Sequence, residues 1–322
     1  MNPASKRPLG RSGLEIAPLV FGGNVFGWTV DEPTSFALLD RFVDAGFDAI
    51  DTADVYSAWA PGNQGGESET IIGNWLAAEP SRRDRCVIIT KAGAALKEKG
   101  GGLSATNIVS SVEASLRRLR TDRIDLYFSH FPDPVTPIEE TLRAHDALVR
   151  DGKVRAIGAS NYDAGQLRAA LSASEKAGLA RYEVIQPEYN LYDRDSYEGP
   201  LRELAIAEGL GVITYYSLAS GFLTGKYRSQ DDLGKSARGT RAGGYLNPRG
   251  LRILDSLDEI ARAHDAAPGE VAIAWLIARQ GVSAPIASAT SLEQLEGLVR
   301  ATQLKLTSAD MARLEAASAP QG

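Results

Sequence analysis

The chain is short of the groups that mark secreted, metal-dependent or nucleic-acid-binding proteins. It has one cysteine, Cys86, set in the apolar run "CVIIT". No second thiol exists for a disulfide, and a buried, inert side chain in a reducing compartment is the expectation. Basic residues do not prevail: 35 Lys and Arg stand against 41 Asp and Glu, a net charge of -6. That balance offers no broad positive field for nucleic acid or an anionic membrane surface. The longest apolar run, "VAIAWLIA", is too short to span a bilayer, and the opening "MNPASKRPLGRSG" lacks the apolar stretch of a secretion signal. A cytoplasmic location is expected. Metal-ligand spacing, a serine nucleophile with its base and a P-loop are all missing as well.

What is present is an alternation. Short apolar runs ("LVFGG" 19–23, "FDAIDT" 47–52, "CVIITK" 86–91, "IDLYFSH" 124–130, "VRAIGAS" 154–160, "VIQPEY" 184–189, "GVITYYS" 211–217, "APIASA" 284–289) read as eight strands. Amphipathic stretches lie between them, such as "TSFALLDRFVDAG" and "IEETLRAHDALVRDG", several opened by Ser or Asp and closed by Gly as helix caps require. Eight βα units in series predict an α/β fold, a closed (β/α)8 TIM barrel, with residues 1–322 as one domain. A doubly wound open sheet is the runner-up, but "FGGNVFG" after the first strand lacks the G-x-G-x-x-G spacing. The segment "KRPLGRSGLEIA" reads as an N-terminal hairpin that plugs the barrel floor. A long mobile loop is expected over 226–250, between strand seven and two following helices, where such insertions tend to cover a site.

In a barrel the chemistry belongs at the C-terminal ends of the strands. Strand two ends in Asp51 with Tyr56 just beyond, strand three in Lys91, strand four in His130, and alternation lets all three strand-end groups face one mouth. Each alone could be a cap, an ion pair or a structural histidine. Together they suit protonation of a carbonyl oxygen. For Tyr56 to exchange protons near neutrality its phenolate needs roughly 4 kcal/mol of preferential stabilisation, which the Lys91 ammonium can supply. Asp51 would hold Lys91, and His130 would orient or polarise the substrate oxygen. This group contains no reductant, so electrons have to come from an organic cofactor.

The motifs "DTADVY", "SETIIG", "ITKAG", "YFSHFPDP", "RAIGASNY", "QPEYNLYDR" and "YYSLASGFLTGKY", in that order, resemble the aldo-keto reductases across nearly the whole chain. The likeness is to the subgroup of bacterial aldo/keto reductases and potassium-channel β subunits. It implies Tyr56 as general acid with Asp51, Lys91 and His130 as its partners, repeating the assignment made from the residues. It further implies that Ser160, Asn161 and Gln186 hold the nicotinamide carboxamide, that Tyr215 stacks on its ring, and that Ser217, Leu218, Ser220, Gly221 and Lys226 wrap the pyrophosphate. Gly23, Asn24 and Ser288 join the cofactor group by the same likeness. Thr290 and Gln294 fit the 2′-phosphate pattern, completed by Arg238, with Arg241 the alternative. NADP(H) is thus the expected cofactor and NAD(H) a possible one. Tyr216 and Ser217 replace the family's usual Ser-Pro, and Gly297 and Leu298 its frequent Glu-Asn pair.

The implied activity is NADPH-dependent reduction of an aldehyde or ketone. A cofactor-holding regulatory subunit or redox sensor is the alternative, and a Schiff-base aldolase using Lys91 is a third. Asn24, Val25, Phe26, Trp28, Trp59 and Phe131 are expected to wall the substrate pocket.

Overall fold

The computed structural model describes residues 5–96 and 100–319. A two-residue hairpin comes first, β1 (Arg7–Pro8) paired antiparallel with β2 (Glu15–Ile16). Eight parallel strands follow: β3 (Val20–Gly22), β4 (Ala49–Asp51), β5 (Val87–Ala92), β6 (Ile124–Ser129), β7 (Val154–Ser160), β8 (Tyr182–Gln186), β9 (Gly211–Thr214) and β10 (Ala284–Ala287). They close in sequence order, β10 pairing with both β3 and β9, so the expected TIM barrel is the fold observed. Closure gives each of the eight barrel strands a partner on both sides, so the barrel has no sheet edge.

Alternation along the strands sorts the side chains into two cores. Val20, Ala49, Ile89, Leu126, Phe128, Ala156, Val184, Ile213, Ala284 and Ile286 fill the barrel, and Leu9, Leu14 and Ile16 of the hairpin pack into the same cluster from below. The hairpin therefore closes the floor, as its sequence suggested. One close approach depends on glycine: a Cβ on Gly158 of β7 would lie 2.4 Å from the Phe128 ring, so the ring occupies the barrel axis because position 158 has no side chain.

The opposite faces of the strands meet the helices α1 (Glu32–Asp44), α2 (Glu67–Ala78), α3 (Arg82–Arg85), α4 (Ala105–Leu119), α5 (Ile138–Arg150), α6 (Ala164–Ala177) and α7 (Pro200–Ala207) in a larger outer core. Caps fix where several begin: Asp31 accepts from Thr34 N, Ser104 from Asn107 N, and Asp163 and Gln166 form a reciprocal box. Among the described residues no helix is long and apolar enough to cross a membrane.

Two expectations need correction. Strand seven stops at Thr214, because Tyr216 takes a left-handed backbone (φ 53°) that no strand can continue. The segment 226–250 is not a structureless loop. It folds into turns over 230–235 and 243–245 around α8 (Gly239–Ala242), held by the Ser229–Asp232 box and by a 2.6 Å contact between the Tyr227 and Ser236 hydroxyls. Tyr245 then donates to Asp193 at 2.7 Å, and Asn247 caps α9 (Pro248–Ala263). After it come α10 (Pro268–Ala278), α11 (Leu292–Ala301) and α12 (Ser308–Ser318).

Candidate active site

Asp51, Lys91 and His130 sit at or just past the ends of β4, β5 and β6, all buried, and the loop after β4 brings Tyr56 back over them. Lys91 Nζ lies 2.7 Å from both Asp51 carboxylate oxygens and donates to Thr52 O at 2.8 Å and to the Tyr56 hydroxyl oxygen at 2.9 Å. Tyr56 in turn donates to Asp51 Oδ2 at 3.2 Å. His130 stands beside the phenol, ring centres 6.1 Å apart, and stacks on Phe131 at 4.8 Å.

Burial dominates the electrostatics. It pulls the Lys91 ammonium below its ordinary value although Asp51 opposes the shift, and it holds His130 neutral, with the Lys91 charge adding to the effect. The sequence argument called for a lowered phenol. The structure gives the reverse: burial first, then the Asp51 carboxylate, push Tyr56 well above the usual phenolic value, so its hydroxyl keeps its proton around neutrality.

On the other side of the mouth, Ser160 and Gln186 end β7 and β8, with Asn161 next to Ser160. Ser160 Oγ donates to Gln186 O at 2.9 Å, and Asn161 donates to His130 O at 2.8 Å while accepting from the Tyr215 hydroxyl at 2.6 Å. Tyr215 thus joins this amide group, while the Tyr216 hydroxyl is bonded by Arg241 and its ring lies 4.1 Å from that guanidinium. Gln186 Nε2 also reaches Asp51 Oδ1 at 2.9 Å.

Beyond Tyr216 the chain runs Ser217, Leu218, then Ala219, Ser220 and Gly221 with positive φ, a curl that turns the backbone sharply. Lys226 follows, its ammonium 5.1 Å from the Tyr227 ring and in no ion pair among the described residues. Arg238 is in none either. Its guanidinium is drawn down by burial, lies 5.4 Å from the Trp28 ring, and donates at 3.3 Å to Asn24 Oδ1, which also accepts from Ser288 Oγ at 2.7 Å. Gly22 admits that contact, since a Cβ there would come within 2.6 Å of Ser288 Oγ. Gly23 is buried against the Asp51 carbonyl in the same loop. Thr290 and Gln294 bond each other, Thr290 N and Oγ1 donating to Gln294 Oε1 at 2.9 and 3.1 Å, and neither is joined to Arg238.

These residues fit a nicotinamide dinucleotide by their chemistry. Amides and hydroxyls that both donate and accept stand beside the acid group, and two cations without carboxylate partners line the adjoining loop of an acidic chain, as a phosphate-bearing ligand requires.

Of the expected pocket walls, Val25 and Phe26 belong to the core instead, Phe26 being stacked on Phe21 at 5.3 Å. Trp28, Trp59 and Phe131 do stand at the mouth, with Trp59 48% and Phe131 46% exposed. The sequence reading overlooked the buried Asp54 and Glu69 next to Lys91 and the partly exposed Arg118 that pairs with Glu69. Their visible signals were the second carboxylate inside "DTADVY" and the glutamate of "SETIIG".

Comparison with known proteins places the whole barrel in one family. The model of the aldo/keto reductase family matches residues 18–319. The chain is 34% identical over 306 residues to the uncharacterized oxidoreductase YrpG of Bacillus subtilis (strain 168), covering 92% of this chain and 91% of the relative. It is 35% identical over 296 residues to a probable voltage-gated potassium channel subunit beta of Oryza sativa subsp. japonica, covering 89% and 88%. Aldo-keto reductase AMT2 of Alternaria alternata is 32% identical over 356 residues, covering 99% and 94%.

Proposed function

Because the chain belongs to the aldo/keto reductase family, and with it to the NAD(P)H-dependent oxidoreductases that act on small carbonyl compounds, we propose that it reduces an aldehyde or ketone to the alcohol with NADPH and with Tyr56 as proton donor. The observation that carries this reading is the Tyr56 hydroxyl held between Lys91 at 2.9 Å and Asp51 at 3.2 Å, at a mouth rimmed by aromatic side chains.

A nicotinamide dinucleotide held at this mouth would supply the hydride for carbonyl reduction. Everything else falls to the side chains. Tyr56, kept protonated by burial, gives its proton to the carbonyl oxygen as negative charge grows there. The Lys91 ammonium, already donating to the phenol oxygen, is placed to stabilise the phenolate that results. Asp51 keeps Lys91 charged in an otherwise apolar barrel and fixes its direction. His130, neutral and beside the phenol, can donate a ring N–H to the same carbonyl oxygen without competing as an acid. Ser160, Asn161, Gln186 and Tyr215 would seat the nicotinamide end, Ser217 to Gly221 and Lys226 the pyrophosphate. Gly23, Asn24, Ser288, Arg238, Thr290 and Gln294 would seat the adenosine end. The unpaired charge on Arg238 favours NADPH over NADH.

The test follows NADPH absorbance with an activated aromatic aldehyde for wild type and Tyr56→Phe. Oxidation that falls by about two to four powers of ten in the variant, with NADPH binding intact, supports the assignment. Tight NADPH binding with no oxidation by wild type across a varied carbonyl panel would favour a regulatory, cofactor-holding role instead.

A further inference from the structure

Behind Lys91, among β5, β6, α2 and α4, lies a second acidic group with no part in the mechanism above. Asp54 is buried, and its Oδ1 finds no hydrogen-bond donor among the described residues. Its backbone is tied to that of the lysine, Asp54 N–H donating to Lys91 O at 3.1 Å, while Lys91 Nζ donates to the carbonyl of Thr52, two residues before it, at 2.8 Å. Facing it from α2 is Glu69, fully buried, whose carboxylate accepts from the Thr90 hydroxyl of β5 and from Arg118 of α4, each at 2.6 Å. Tyr127 of β6 presents a buried hydroxyl within electrostatic reach of the same carboxyl groups.

The charges around Asp54 do not balance if it ionises. Asp51, Asp54 and Glu69 would then be three buried carboxylates against two cations, the buried Lys91 and the partly exposed Arg118. Burial and the neighbouring Glu69 hold the Asp54 carboxyl up at about 7, with Arg118 and Lys91 pulling the other way. Both Glu69 oxygens accept a hydrogen bond and Asp51 accepts from Lys91 and Gln186, whereas Asp54 Oδ1 has no donor among the described residues.

Resting on the assignment of Tyr56 as the acid, we infer that Asp54 is a positioning residue acting through Lys91, its charge setting how firmly Tyr56 holds the proton it donates. When Asp54 is neutral, the Lys91 charge acts on the phenol oxygen less opposed, and proton donation is easier. When Asp54 ionises, its negative charge partly cancels that of Lys91 and the phenol holds its proton more tightly. Carbonyl reduction then slows as the pH rises through neutrality, before Tyr56 itself titrates.

Asparagine imitates the neutral form, so the test compares pH profiles of kcat/KM for NADPH-dependent reduction by wild type, Asp54→Asn and Asp54→Glu. The expected result is a wild-type rate that falls about threefold between about pH 6 and about pH 8, a step that Asp54→Asn lacks and Asp54→Glu retains. Profiles for wild type and Asp54→Asn that differ only by a constant factor at every pH would overturn the inference, because a merely structural role scales the whole curve. Asp54→Ser provides a second neutral variant should the asparagine fail to fold. A Tyr56→Phe control separates the two levels: if it retains activity the acid assignment fails, and this inference with it. If it is inactive while the Asp54 profiles superimpose, this inference alone fails.

Discussion

Gln186 donates from Nε2 to Asp51 Oδ1 at 2.9 Å, joining the ends of β8 and β4, which stand on opposite walls of the barrel. A residue expected only to touch the nicotinamide therefore also holds the carboxylate that pairs with Lys91. The acid group and the amide group are mechanically one unit, and a change in either is felt by both.

A consequence can be measured without any cofactor. Gln186→Leu deprives a buried carboxylate of a charge-assisted hydrogen bond, and the ligand-free protein should lose about 1.5–3 kcal/mol in urea-induced unfolding. Its kcat should fall along with its affinity for NADPH, since Asp51 no longer aims Lys91 at Tyr56. Unchanged stability of the ligand-free variant, with only cofactor affinity reduced, would mean that Gln186 serves the ligand alone.

Arg238 is the residue on which cofactor choice turns. Among the described residues its guanidinium has no carboxylate partner and meets the Trp28 ring and Asn24, so its charge is available to a phosphate that NADPH has and NADH lacks. Arg238→Ala should weaken NADPH binding by roughly tenfold or more and NADH binding little, read by fluorescence titration with Trp28 as a nearby reporter. Equal losses for both cofactors would assign Arg238 to loop packing rather than to the 2′-phosphate.

The barrel and its chemistry were legible to different degrees. Strand identity rode on apolar runs with period-two alternation, a local signal, and that signal also aims Asp51 and Lys91 inward. What could not be read was set by neighbours distant in the chain. Tyr56 is raised, not lowered, because burial first and then the Asp51 carboxylate disfavour the phenolate, an effect visible only once Tyr56 and Asp51 share one space. Val25 and Phe26 resemble pocket residues in sequence, but Phe21 and the outer core take them in. The turns over 230–245 depend on Tyr227–Ser236 and Tyr245–Asp193 contacts that composition does not reveal. Asp54 reads as one more acid in a polar loop until Glu69 and Arg118 close around it.

Away from the mouth, His145 on α5 makes the stability of the barrel depend on pH. The ring is buried, Nε2 lies 3.1 Å from Ser129 Oγ, and that hydroxyl lies 2.7 Å from the Tyr182 hydroxyl. Among the described residues no carboxylate favours the charged form, and burial draws His145 down to about 4. In the unfolded chain the same ring titrates near about 6.5. Between those values the unfolded state binds a proton that the native state refuses, so acid favours unfolding. The contribution is complete above about pH 6.5 and is lost progressively as the pH falls towards about 4, a decline on the order of 3 kcal/mol from this group. Urea unfolding at about pH 7 and about pH 4 should therefore show a smaller drop for His145→Asn than for wild type, by roughly that amount. A variant that loses as much stability as wild type across the interval would show that His145 takes up its proton in the folded barrel as readily as in water.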